Sequence, residues 1–251
     1  MSHDHVGVPK FIENGFSNDG KVYCYNLKVD KSYYDSINKL GTKNNYYEDD
    51  VEKELLAQGV ELQFSLFYND FCGTTDPNQM SKILNSNINL VEQFFSFMFM
   101  RSIKTLDIIN KNSLSSKLLG DLNHSELLRL HSKLQTNPFK MIGDNYRFYP
   151  LVNFTSIHLI NNSVGFGLLI NSNHEISFFI PLNIRVGILI TNETTLKDSD
   201  FTYIGPNGTN KTDLLNKRIC YAEKVIGNGF IFGDNKELVA SYIDFIKQLK
   251  V

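Results

Sequence analysis

Tryptophan is absent from this sequence, and cysteine is nearly so, with three in 251 residues. Without tryptophan, aromatic packing has to be built from the 19 phenylalanines and 12 tyrosines. Cys24, Cys72 and Cys220 are widely separated and form no Cys-x-x-Cys pair. A disulfide framework and a cysteine-based zinc site are both excluded on that count. An odd, sparse set of this kind fits reduced thiols, so a cytoplasmic protein is expected. An excess of one charge is also missing: 25 Lys and Arg stand against 27 Asp and Glu, for a net charge of −2. That balance excludes a protein that coats nucleic acid by neutralising phosphates, and no long Lys/Arg run supplies a local substitute. There is no strong nucleic-acid signature.

A long apolar run is lacking too. The greasiest stretch, Ile88 to Asn110, holds Phe94, Phe95, Phe97, Met98, Phe99 and Met100, but Glu92, Gln93, Arg101 and Lys104 interrupt it. A membrane span needs about 20 apolar residues, so the stretch reads as a buried helix and no membrane partner is expected. The first residues, MSHDHVGVPKF, are polar and carry no apolar leader core, so no signal peptide is expected. The Asn-x-Ser/Thr triplets at Asn123, Asn153, Asn161, Asn192, Asn207 and Asn210 then reflect an Asn-rich composition.

What is present is ordinary globular material, 42% hydrophobic and 21% charged. A chain of this length buries roughly 70–75% of its unfolded surface, so neither metal nor disulfide is needed to hold a core. One domain over residues 1–251 is expected, with three patterns along it. Residues 1–45 are strand-like: Asp19-Gly20 is a turn pair before the β-prone Lys21–Leu27, and Pro9 stops an early helix. Residues 46–136 are helical. Asp49 and Asp50 are candidate caps for a helix through Val51, Leu55, Leu62 and Phe64 towards Tyr68. Thr75-Asp76-Pro77 is a cap followed by proline at the first helical position, and Asn123-His124-Ser125-Glu126 has the form of a capping box.

Residues 137–251 turn to β-type runs at 148–152, 156–160, 165–170, 176–180 and 186–191, with helices closing the chain. Those closing helices are predicted over 209–225, ending at Gly227, and over 236–249, with a short strand at 230–232 between them. Helices grouped before strands, rather than alternating with them, predict an α+β fold with a mainly antiparallel sheet.

These elements, in this order, resemble the bacterial family known as a domain of unknown function, DUF 4238. The family opens with His-x-x-Pro leading to an aromatic residue, then a turn and a strand. His5-Val6-Gly7-Val8-Pro9-Lys10-Phe11, followed by Gly15-Phe16-Ser17-Asn18-Asp19-Gly20-Lys21-Val22-Tyr23, is similar, with one extra residue between His and Pro. Tyr46-Tyr47 and the pair Glu54 and Glu61 match a tyrosine stretch and a helix with two glutamates seven apart. Met98–Ile103 matches a Gln-x-x-Arg-Thr-Pro helix at Arg101 and departs at the Gln and Pro. Asn171-Ser172-Asn173-His174-Glu175 is nearest to a Thr-Ser-Asp-Asn-Pro strand end and keeps the Ser. Pro181-Leu182 and Asn216 complete the likeness. The resemblance brings no activity with it. Its members sit in bacteria and mobile elements, which implies a role in conflict between phage and host.

Several chemistries fail on spacing. Glu54 and Glu61 are i and i+7, about 10.5 Å apart along a helix, too far for a shared proton or a single metal. His124 and His131 lack the His-Glu-x-x-His spacing. Gly205–Thr212 ends in Lys-Thr before a helix, but Asn210 stands where a phosphate loop needs glycine, so it reads as a turn with Thr209 or Asn210 as cap. Gly165 and Gly167 read as a bulge or close packing. No cofactor and no metal are expected.

Arg101 is the most informative residue, because it interrupts an apolar helix face. A buried guanidinium without an anion is prohibitively costly, so a carboxylate from a distant segment is expected beside it. The leading expectation is a non-enzymatic binding protein for a protein partner or small ligand, with Arg101, Asn173 and His174 in the binding site. The alternative is a hydrolase acting on nucleic acid or nucleotide, its site assembled from His5, Glu54 or Glu61, Arg101 and Ser172.

Overall fold

The computed structural model describes residues 3–5, 8–44, 46–48, 50, 51, 53, 59–102, 122–134, 146–170, 176–191 and 203–250. In chain order these form β1 (His3–His5), α1 (Lys10–Asn14), β2 (Lys21–Asn26), β3 (Lys31–Ser36) and β4 (Thr42–Asn44). Four helices follow: α2 (Glu61–Cys72), α3 (Pro77–Ser86), α4 (Ile88–Met100) and α5 (His124–Leu134). Then come β5 (Arg147–Asn153), β6 (Asn161–Asn162), β7 (Gly167–Ile170), β8 (Ile176–Pro181), β9 (Val186–Thr191) and β10 (Tyr203–Ile204). The chain closes with α6 (Thr209–Ile226), β11 (Phe230–Gly233) and α7 (Lys236–Gln248). The fold is α+β.

Both ends of the chain meet in one sheet. Antiparallel β11 is inserted between β2 and β6, giving the four-stranded order β3-β2-β11-β6. A second sheet has the order β10-β5-β9-β8-β7, antiparallel throughout except for β10 beside β5. Its middle strand, β9, is buried at all six positions, which is why Val186–Thr191 shows no polar alternation. Helix α6 packs against β7 and β8 of this sheet and against β6 and β11 of the other, so one helix serves both. Gly167 permits that contact: a Cβ there would lie 3.0 Å from the backbone nitrogen of Ile219.

The missing tryptophan is replaced by a phenylalanine cluster between α1, α2 and α4. Phe64 and Phe94 stack with ring centroids 3.7 Å apart, and Phe11, Phe67 and Phe95 surround them. Among the described residues no helix is long and apolar enough to cross a membrane.

Local signals explain several boundaries. Asp76 caps α3 by accepting from the Asn78 amide at 3.0 Å, with Pro77 in the first turn as expected. The capping box is reciprocal: Asn123 N donates to Glu126 Oε2 at 2.7 Å, and Glu126 N donates to Asn123 Oδ1 at 2.9 Å.

Other expectations need correction. Pro9 precedes a short helix rather than preventing one, since its fixed backbone suits the position before α1. Asp50, Val51, Lys53, Gly59 and Val60 are already helical ahead of α2, Asp49 lies outside the described residues, and the Asp50 carboxylate receives Arg129 at 2.6 and 2.9 Å. Gly208, not Thr209 or Asn210, precedes α6. Gly227 is extended (φ −77°) rather than left-handed, and it is small because a Cβ would strike the Glu223 carboxylate. The 156–160 run is no strand, because side chains of its neighbours take the hydrogen bonds that a ladder would have used.

Candidate functional site

Arg101 caps the C-terminal end of α4 and is 2% exposed. Its Nη1 donates to Glu61 Oε1 at 2.5 Å, across 40 residues of sequence. Its Nε donates to the Tyr47 hydroxyl at 3.4 Å, and the guanidinium lies 5.7 Å from the Tyr47 ring centroid. The expected carboxylate is therefore present, and it comes from the first turn of α2.

A second carboxylate stands close by. Glu13 of α1 is 1% exposed, and burial holds its carboxyl well above the usual range; Asp35 raises it further, while Arg101 and Lys10 pull it down. The next residue, Ser102, is also buried and its Oγ donates to the Ile226 carbonyl at 2.5 Å, tying the end of α4 to the end of α6.

This cluster joins α1, α2, α4 and the Tyr47 segment. With Arg101 almost entirely enclosed, the cluster can fix these helices together. The side chains of the other expected site residues lie outside what the structure describes. Glu54, Ser172, Asn173 and His174 lie outside the described residues, and His5 is described only as backbone, in β1 against Thr42 of β4.

A different cluster reaches the surface. Strand β5 ends at Asn153, whose Oδ1 accepts from Thr155 N (3.1 Å), Thr155 Oγ1 (2.8 Å) and Thr212 Oγ1 (3.0 Å), while its Nδ2 donates to the Ile157 carbonyl at 2.7 Å. These bonds curl the chain into an Asx-type turn that delivers His158. Asn216 of α6 holds the far side: its Nδ2 donates to the His158 carbonyl at 2.9 Å, and its Oδ1 accepts from Ile160 N at 3.1 Å. Arg185 comes from the β8–β9 turn, where Asn183 Oδ1 accepts from the amides of Arg185 and Val186, both at 2.8 Å. Asp234 follows β11 immediately.

The three side chains form a line. Asp234 Oδ2 is 2.6 Å from His158 Nδ1, and Arg185 Nη2 is 2.9 Å from His158 Nε2. A guanidinium has only donors, so Nε2 must be the acceptor and the ring proton sits on Nδ1, donated to Asp234. Arg185 Nη1 donates to the Thr155 carbonyl and, at 3.5 Å, to that of Asn153. His158 and Asp234 keep 24% and 16% side-chain exposure, and Arg185 is also half-buried.

Sequence reasoning missed this cluster. Its members are a lone His in an apolar run, a lone Arg in a turn and an Asp after a strand, with no spacing to link them. Asn216, a block shared with the family resemblance, was the one available signal.

Nucleophilic thiol chemistry has no support here: burial pushes Cys24 up to about 11 and Cys72 up to about 12, and raises Cys220 as well. Among the described residues no three His, Cys, Asp or Glu side chains are grouped to hold a metal. Compared with protein-family models, curated proteins and solved structures, the chain matches none.

Proposed function

We propose that this chain is a binding protein for a small oxyanion-bearing ligand, held between Arg185 and His158. One observation carries the reading. Arg185 is a half-buried cation whose hydrogen-bond acceptors are two main-chain carbonyls and an imidazole nitrogen, with no carboxylate in contact among the described residues. A partly desolvated guanidinium is best satisfied by a planar or tetrahedral oxyanion taken bidentately.

Charge counting supplies the mechanism. Asp234 and Arg185 balance each other while His158 is neutral. An anion entering beside Arg185 displaces its contact to Nε2 and favours a proton there, so that Nε2–H also donates to the ligand. Asp234, already on Nδ1, stabilises the imidazolium that results. Anion and proton therefore arrive together.

The hydrolytic alternative is less well supported. Both nitrogens of His158 are engaged, and Arg101 is only 2% exposed. Membership of the DUF 4238 family is part of the proposal, supported by Tyr47, Glu61 and Arg101, drawn from two of its blocks, meeting in space.

Titration calorimetry with inorganic phosphate, in two buffers of different ionisation enthalpy, tests the binding reading. Uptake approaching one proton per anion is expected, with binding lost in R185Q. Binding that persists unchanged in R185Q would overturn it.

A further inference from the structure

An exposed aromatic pair adjoins this cluster. Phe154 lies between Asn153 and Thr155, the two residues whose carbonyls receive Arg185. Its ring is 39% exposed and packs against Tyr203 of β10, which is 49% exposed, with centroids 5.0 Å apart and a 35° tilt. The backbone fixes the pair: Phe154 N donates to the Ile204 carbonyl at 2.8 Å, while Asn153 and Thr155 on either side are buried and hydrogen-bonded inward. Alternation along this segment sends the Phe154 ring outward as its neighbours turn in. Two large aromatic faces left in solvent beside a cationic clamp are what a ligand with both a flat π-system and an anionic group requires.

We infer that the oxyanion belongs to an aromatic ligand of the nucleotide class, its base against Phe154 and Tyr203 and its phosphate at Arg185 and His158. This rests on the oxyanion reading above and names the ligand for the same site. Both residues are more than a third exposed and neither belongs to the buried core, so their replacement is expected to leave the fold intact. Stacking is indifferent to base identity because every base has a π-face. Discrimination among bases is therefore weak, and the gain over phosphate alone is common to all of them.

The test compares adenosine monophosphate, uridine monophosphate and inorganic phosphate by titration calorimetry on the wild type, F154S/Y203S and R185Q, with circular dichroism to verify folding. Both nucleotides are expected to bind at least about tenfold more tightly than phosphate. F154S/Y203S should erase that advantage and leave phosphate affinity unchanged, while R185Q weakens all three. Equal affinity for nucleotide and phosphate, or an advantage that survives F154S/Y203S, overturns the inference and leaves the oxyanion site standing. Failure of all three to bind the wild type overturns both.

Discussion

Replacing Glu61 by glutamine removes the charge that meets Arg101 at 2.5 Å while keeping the shape of the side chain. Arg101 is 2% exposed and cannot turn to water, whereas Glu61 retains 18%. The two halves of the pair should therefore respond unequally. Removing the carboxylate from a buried ion pair costs about 3–5 kcal/mol. The buried Glu13 carboxyl, already influenced by the Arg101 charge, offers partial compensation, which places E61Q near the lower figure, about 3 kcal/mol. For a chain of this size that corresponds to a fall of about 6–12 °C in Tm. R101M leaves only a part-exposed glutamate behind and should cost less. The double variant R101M/E61L replaces the pair with apolar groups and should recover most of the E61Q loss. Urea unfolding followed by circular dichroism measures all three. An E61Q cost below about 1 kcal/mol, or a double variant as unstable as the sum of its parts, would refute the claim that this pair holds α2 to α4.

Glu223 is buried, and its two oxygens accept from Ser163 N (3.0 Å), Ser163 Oγ (2.7 Å), Gly229 N and Phe230 N (2.9 Å), joining α6 to β11. E223Q sets an amide N–H₂ against donors and should cost about 3 kcal/mol by urea unfolding; a loss under 1 kcal/mol would show that the turn holds without it. Burial raises the Glu13 carboxyl above its ordinary value of 4.5, so the folded state keeps a proton that the unfolded state releases. Wild type should therefore lose stability relative to E13Q as pH rises above about 4.5, levelling off beyond the raised folded value; a gap constant from pH 4 to 8 contradicts this.

The legible parts of this molecule were those with local causes. Asp76-Pro77 and the Asn123–Glu126 box write helix starts directly into neighbouring residues, and β9, apolar until Thr191, announces a strand covered on both faces. Arg101 was legible as a problem, since a charge in an apolar helix demands an anion, and Glu61 was one of the two carboxylates named for it. Errors arose where tertiary hydrogen bonds replaced local ones. The apolar 156–160 run looks like a strand, but Asn153, Thr155 and Asn216 satisfy its backbone from outside, and no periodicity records that. His158, Arg185 and Asp234 are brought together by three separate turns, so their relation exists only in the fold.

The proposed binding mode places the ring proton of His158 on Nδ1 and adds one at Nε2 when an oxyanion joins Arg185. Nitrogen-detected NMR of ¹⁵N-histidine-labelled protein reads both ring nitrogens of His158 directly, with H158Q identifying the signals. An Nδ1–H imidazole is expected in the free protein and an imidazolium at saturating phosphate, at the same pH. An Nε2–H tautomer in the free protein, or a ring unchanged by phosphate, would contradict it.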